Sequence, residues 1–213
     1  MAAPVILFDF DGTIADTLTC LWQIGQHLAL EAGYPSLPPL EKLRDMHSQE
    51  ILEVLGIPVV QLPWVVRRLR RELSRRMGEV RLCGGMDRAL ASLYGQGWTL
   101  GIVTSNSSCN VRAFLRQHQM EDWFAVVHSE SALLGKSRIL RRLVRQHQWG
   151  DVVYVGDETR DVVAAKSAGL PVIAVAWGFN TVAALQAACP QAVALDAEQL
   201  LGILNCWWSP QNP

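Results

Sequence analysis

The sequence predicts an α/β fold: a doubly wound parallel sheet with a small α-helical domain inserted after its first strand. Three observations carry this expectation. The apolar run at residues 5–8 reads as a strand buried on both faces. Residues from about 17 to 83 show helical spacing and no convincing strand. From about residue 84, short apolar strands alternate with helices, the pattern of a parallel sheet covered on both faces. The expected division is a core of residues 1–16 and 84–213 and a helical domain of residues 17–83.

The elements follow in order. Residues 18–32 have apolar positions at helical spacing, stopped by Gly33 and Pro35. Residues 40–55 form a second expected helix, stopped by Gly56 and Pro58. In the third, residues 64–80, Val66, Leu69, Leu73, Met77 and Val80 make an apolar stripe. Arg67, Arg68, Arg70, Arg71, Arg75 and Arg76 fill the rest, as a solvated polar face. The later strands are expected at 98–104, 125–128, 152–156, 172–176 and, weakly, 192–195. Helices are expected between them at 86–95, 109–118, 137–146 and 161–168. The tail from residue 205 shows no regular pattern, and Trp207 and Trp208 are expected to pack on the surface of the core.

Composition narrows the classes. Half of the 213 residues are apolar and 18% are charged, enough to bury a substantial core. A net charge of −1 argues against a general nucleic-acid or membrane-surface binder. The five cysteines, Cys20, Cys83, Cys109, Cys189 and Cys206, form no CxxC or His-Cys grouping. They read as reduced thiols of a cytoplasmic protein rather than a zinc site or a disulfide framework. With a strand starting at Val5 there is no room for a secretory leader, and no apolar run reaches membrane-spanning length. Only three of the 19 basic residues are lysines, Lys42, Lys136 and Lys166, so a lysine in a suggestive place carries information.

Polar residues cluster where strands end. Asp9 and Asp11 follow the first strand at i, i+2 spacing and leave it on the same side, with Gly12 to turn the chain behind them. Two carboxylates this close repel unless a cation or a shared proton relieves them. Thr104, Ser105 and Asn106 end a second strand, Lys136 precedes a helix, and Asp157 and Asp161 follow a third strand. Read as chemistry, a hydroxyl and a lysine neutralise a transferring phosphoryl group. The carboxylates then make an oxygen-only shell suited to Mg²⁺, with Asp9 as nucleophile and Asp11 as acid and base. Singly, each has a structural alternative: Asp9-Phe-Asp11-Gly12 as a turn, Thr104 or Asn106 as a helix cap, Lys136 as a solvated lysine, Asp157 and Asp161 as loop or capping acids.

With these residues in order, the chain resembles the haloacid dehalogenase superfamily, in its phosphoglycolate-phosphatase-like branch. Asp9-Phe-Asp11-Gly-Thr13 matches a DxDGT motif, Thr104 the second motif, Lys136 the third, and Gly156-Asp157-Glu-Thr-Arg-Asp161 a GDxxxD fourth motif. The helical insertion falls where this branch carries a small helical cap. Ser137 stands where many relatives have proline. The resemblance implies that Asp9 attacks phosphorus and that Asp11 protonates the leaving alcohol and then deprotonates water. It implies that Thr104, Ser105, Asn106 and Lys136 hold the substrate. It places Mg²⁺ on Asp9, Asp157 and Asp161, with the Phe10 backbone carbonyl, rather than the Asp11 side chain, completing the set. An acid at Asp11 favours phosphate over halide chemistry. The implied partner is a small phosphorylated metabolite such as 2-phosphoglycolate, handled by a cytoplasmic monomer or homodimer with no nucleic acid and no membrane. A phosphomutase, a phosphonatase using the cap residue Lys42, and a non-catalytic binding protein are the alternatives. Arg44 and the segment 45–48 are cap candidates for touching substrate, and Trp177 is expected to be core packing.

Overall fold

The structure, a computed structural model, describes residues 4–44, 53–54, 56–129 and 135–208. Its sheet contains β1 (Val5–Phe8), β2 (Thr99–Thr104), β3 (Phe124–Ser129), β4 (Val152–Gly156), β5 (Val172–Val175) and β6 (Ala192–Ala194). The strands lie in the order β3-β2-β1-β4-β5-β6, and every pairing is parallel. The chain thus works outward from β1 on both sides, which puts a topological switch point between β1 and β4. Phe8 pairs with both Ile102 and Val155, so the residues leaving β1, β2 and β4 converge at one edge.

The two-residue period of the strands sorts their side chains. Ile6, Phe8, Leu100, Ile102, Val153 and Val155 enter one buried cluster. Val5, Leu7, Val103, Val152 and Tyr154 enter the other. The helices covering these faces are α4 (Met86–Gly95), α5 (Ser108–Gln117), α6 (Lys136–His147), α7 (Thr159–Ala168), α8 (Val182–Ala187) and α9 (Ala197–Trp207). They follow α1 (Leu18–Ala32), α2 (Leu40–Leu43) and α3 (Leu62–Arg76) of the region between β1 and β2. Helices α1 and α3 pack on each other. Cys20, Ile24, Leu73 and Met77 join the buried cluster that includes Ile6 and Phe8.

Several boundaries differ from expectation. The helix expected at 40–55 is described only as α2, and residues 45–52 and 55 lie outside the described residues. The helix expected to run to Val80 ends at Arg76 and tightens into a 3₁₀ turn at Met77–Glu79. Helices α8 and α9 were not expected, and α9 takes in the start of the supposedly unpatterned tail. Asp196 caps α9 by accepting the Gln199 N–H at 2.8 Å, and Leu200 and Leu204 anchor it one turn apart. Gly202 in the middle of that stretch obscures the helical signal. Trp207 and Trp208 pack against the core as expected, Trp208 edge-on to Trp98.

The α3 arginines behave as a solvated face: Arg68 pairs with Glu31 at 2.8 Å, Arg75 with Glu72 at 2.9 Å and Arg76 with Glu79 at 2.9 Å. Among the described residues no helix is long and apolar enough to cross a membrane.

Candidate active site

Asp9, Thr104 and Asp157 stand at the carboxyl ends of β1, β2 and β4, and the first turns of α6 and α7 bring in Lys136 and Asp161. Carboxylate oxygens of Asp9, Asp157 and Asp161 lie within 4.8 Å of one another, and all three side chains are buried. Lys136 Nζ reaches Asp9 Oδ2 at 3.0 Å and Asp161 Oδ1 at 2.5 Å. It also sits over the ring of the fully buried Tyr154, 5.4 Å from the centroid.

Each acid is held by local structure. Asp9 Oδ1 accepts the Phe10 N–H at 2.8 Å. Asp157 accepts the Thr13 hydroxyl at 2.9 Å and the Phe179 N–H at 2.7 Å. Asp161 accepts the Glu158 N–H at 3.1 Å, so its capping role and its place in the cluster coexist. Asp11 Oδ1 accepts from Asn106 Nδ2 at 2.9 Å.

Burial dominates the electrostatics. Desolvation pushes Asp9 up to about 7, against the pull of Lys136 and with the push of Asp161 and Asp11. Desolvation also raises Asp157 well above the usual carboxylate range, reinforced by Glu158 and Asp161. Asp11 is raised by burial, while the hydrogen bond from Asn106 restrains it. Burial alone would lower Lys136, but Asp161 and Asp9 outweigh it and keep the ammonium charged.

The donor set fits one divalent cation. The three clustered carboxylates and the Lys136 ammonium leave two negative charges uncompensated, and a divalent ion matches that charge. All three are hard oxygen donors, as Mg²⁺ and Mn²⁺ require. The surrounding backbone is cut to fit Asp157. A Cβ on Gly178, or on Gly12 at φ 75°, would stand 2.2 Å from Asp157 Oδ2. Gly178→Ala is therefore expected to displace Asp157, and isothermal titration should show Mg²⁺ binding weakened at least about tenfold. Unchanged affinity would mean that Asp157 is not a ligand.

The Phe10 carbonyl, expected on the metal, accepts the backbone N–H groups of Thr13, Ile14 and Ala15 at 3.3, 3.0 and 2.9 Å, closing the turn behind Asp11. Asn106, expected on the substrate, holds Asp11. Helix capping falls to neither Thr104 nor Asn106 but to Ser107, whose hydroxyl accepts the Asn110 N–H at 3.2 Å. Ser105 lines a crevice of about 260 Å³ with Thr104, Lys136 and Arg160. Lys166 faces away, toward the carbonyls of Ala188 and Cys189, and Lys42 is exposed. Arg44 donates to the Ala176 carbonyl at 2.7 Å, whereas the segment 45–48 lies outside the described residues. Trp177, taken as packing, also donates to the Thr13 carbonyl at 3.1 Å.

Thr13, Gly178 and Phe179 were not singled out as functional. Thr13 lies within the first motif and was within reach. Phe179 acts through its backbone amide, which residue type does not reveal.

The description "Haloacid dehalogenase-like hydrolase" belongs to a family model that matches residues 6–175. A phosphoglycolate phosphatase of Synechococcus elongatus is 38% identical over 189 residues, 87% of this chain and 89% of the relative. A phosphoglycolate phosphatase of Vibrio vulnificus is 27% identical over 218 residues, 94% of this chain and 95% of the relative. The crystal structure of "a predicted phosphatase" from Clostridium acetobutylicum superposes with a TM-score of 0.81 at 20% identity, covering 96% of this chain and 99% of that one. At that identity the likeness concerns the fold.

Proposed function

The chain belongs to the haloacid dehalogenase-like hydrolase family, and on that premise we propose that it is a Mg²⁺-dependent phosphatase hydrolysing a small phosphate monoester through an aspartyl-phosphate on Asp9. The observation that carries this reading is the meeting of Asp9, Asp157, Asp161 and Lys136 at one edge of the sheet. The names of the Synechococcus and Vibrio relatives support 2-phosphoglycolate as the substrate.

Asp9 is the nucleophile. Its Oδ2 lies against Lys136, which draws the substrate's phosphoryl oxygens to the attacking carboxylate. Thr104, at the end of β2, supplies a hydroxyl to the same oxygens. As the bond from Asp9 to phosphorus forms, Asp11 gives its proton to the departing ester oxygen. Asp11 then takes a proton from the water that hydrolyses the aspartyl-phosphate. Mg²⁺ held by Asp9, Asp157 and Asp161 would supply the positive charge that lets two anions meet. We take residues 17–83 as a cap that covers the site and excludes water. The reaction needs only a phosphorylated metabolite as partner, and we place it in the cytoplasm.

The reading is tested by phosphate release from a panel of small phosphate monoesters, with and without EDTA. Mg²⁺-dependent release with 2-phosphoglycolate among the best substrates is the expected result. Failure on every ester would refute it.

The cluster also predicts a pH dependence. Asp9 has an ordinary value of 3.8 and a folded value of about 7. Between these values the folded chain keeps a proton that the unfolded chain has released. Its stabilising contribution is full below 3.8 and is lost as pH rises through about 7. The metal-free protein should therefore melt at a lower temperature at pH 8 than at pH 5. Mg²⁺ binds the ionised carboxylates, so it should raise the melting temperature more at pH 8. Equal shifts at both values would contradict a carboxylate site.

A further inference from the structure

Asn106 is almost fully buried, 7% exposed, and the protein ties it on every side. Its backbone N–H donates to Thr104 Oγ1 at 3.0 Å, and its carbonyl accepts the Ser129 hydroxyl. Its side-chain Oδ1 accepts the Ser107 backbone N–H at 2.8 Å and Asn110 Nδ2 at 2.8 Å. A backbone N–H can only donate, so the Ser107 contact settles which end of the amide is oxygen. The nitrogen end therefore faces Asp11, and Nδ2 donates to Asp11 Oδ1 at 2.9 Å.

This has a chemical consequence at Asp11. A carboxyl oxygen that carries the proton is a poorer acceptor than its carbonyl partner. With the Asn106 N–H on Oδ1, protonated Asp11 therefore favours its proton on Oδ2.

We propose that Asn106 is the positioning residue for Asp11, fixing the carboxyl so that Oδ2 carries the transferable proton. This rests on the phosphatase reading above. In the first half-reaction an Asp9 oxygen bonds to phosphorus and the bond from phosphorus to the ester oxygen breaks. The electron pair of that bond goes to the ester oxygen, which takes the proton from Asp11 Oδ2. Asp11 is left as a carboxylate, and the Asn106 N–H on Oδ1 stabilises the new charge. Ser107, Asn110 and Ser129 hold Asn106 so that the amide cannot rotate away.

The leaving group separates this role from a structural one. Glycolate leaves 2-phosphoglycolate as an alkoxide unless it is protonated, whereas p-nitrophenolate leaves without a proton. kcat/KM reports the steps up to phosphorylation of the enzyme, before water attacks. Asn106→Asp keeps the acceptor for Ser107 and Asn110 and the shape of the side chain, and replaces only the donor that faces Asp11. Asn106→Ala removes the donor without adding charge. Both are expected to lower kcat/KM for 2-phosphoglycolate by roughly 100-fold and that for p-nitrophenyl phosphate by no more than about threefold. Asn110→Ala, which frees one side of the amide, should shift the same ratio in the same direction by a smaller factor.

Equal losses on both substrates, or no loss on either, from variants that melt normally would overturn the inference while leaving the phosphatase reading intact. Wild-type protein inactive on both esters would overturn that reading and the inference with it.

Discussion

Asp9→Asn protein is expected to release phosphate at least about 10³-fold more slowly than the wild type, because the proposed aspartyl-phosphate route loses its nucleophile and no neighbouring group can replace it. Asp11 is held by Asn106 and the Asp157 oxygens by Thr13 and Phe179. The fold should survive. The asparagine oxygen can take the place of Oδ1 and accept the Phe10 N–H, while Lys136 loses Asp9 Oδ2 but keeps Asp161 as its partner at 2.5 Å. The variant also removes a carboxyl that burial already disfavours as an anion. A melting temperature within a few degrees of wild type is expected, together with a smaller stabilisation by Mg²⁺. Retained turnover would remove Asp9 from the mechanism, whereas an unfolded variant would place its role in the fold.

Lys136→Met should be as damaging to turnover and, unlike the first, costly to stability. It deletes both ion pairs, at 3.0 and 2.5 Å, and leaves two buried carboxylates facing each other. Removing one partner of a buried pair costs about 3–5 kcal/mol. Methionine keeps the packing of the stem over Tyr154, so the loss isolates the charge. The penalty depends on pH with a defined sign. Without Lys136 the folded Asp9 carboxyl holds its proton to a higher pH than in the wild type, so stability is lost as pH rises. Urea denaturation of metal-free protein should show the larger destabilisation at pH 8 and the smaller at pH 5. A deficit independent of pH would mean that Lys136 acts through packing.

The sheet was legible because its strands are short, apolar and buried on both faces, with polar residues only where each one ends. Asp9, Lys136, Asp157 and Asp161 could be named from their places after strands or before helices, and the structure brings them together. What could not be read is who holds whom. Thr13 meets Asp157 across 144 residues of chain, and Asn106 meets Asp11 across 95. Both pairings depend on the order of β2, β1 and β4, which spacing alone does not report. The surroundings of the Phe10 carbonyl were hidden for a related reason: they are set by a tight turn through Thr13, Ile14 and Ala15. Helix α9 escaped notice because Gly202 and the two tryptophans at its end mask an otherwise regular apolar spacing.

In the proposed reaction the phosphoryl group passes through Asp9. Wild-type protein mixed with Mg²⁺ and 2-phosphoglycolate, quenched in acid within the first turnover and mapped by peptide mass spectrometry, tests it most directly. The expected product is an acid-stable, hydroxylamine-sensitive phosphoryl group on the peptide containing Asp9, absent with EDTA and absent from Asp9→Asn protein. Phosphate release without any such phosphopeptide, or a phosphoryl group on another residue, would contradict it.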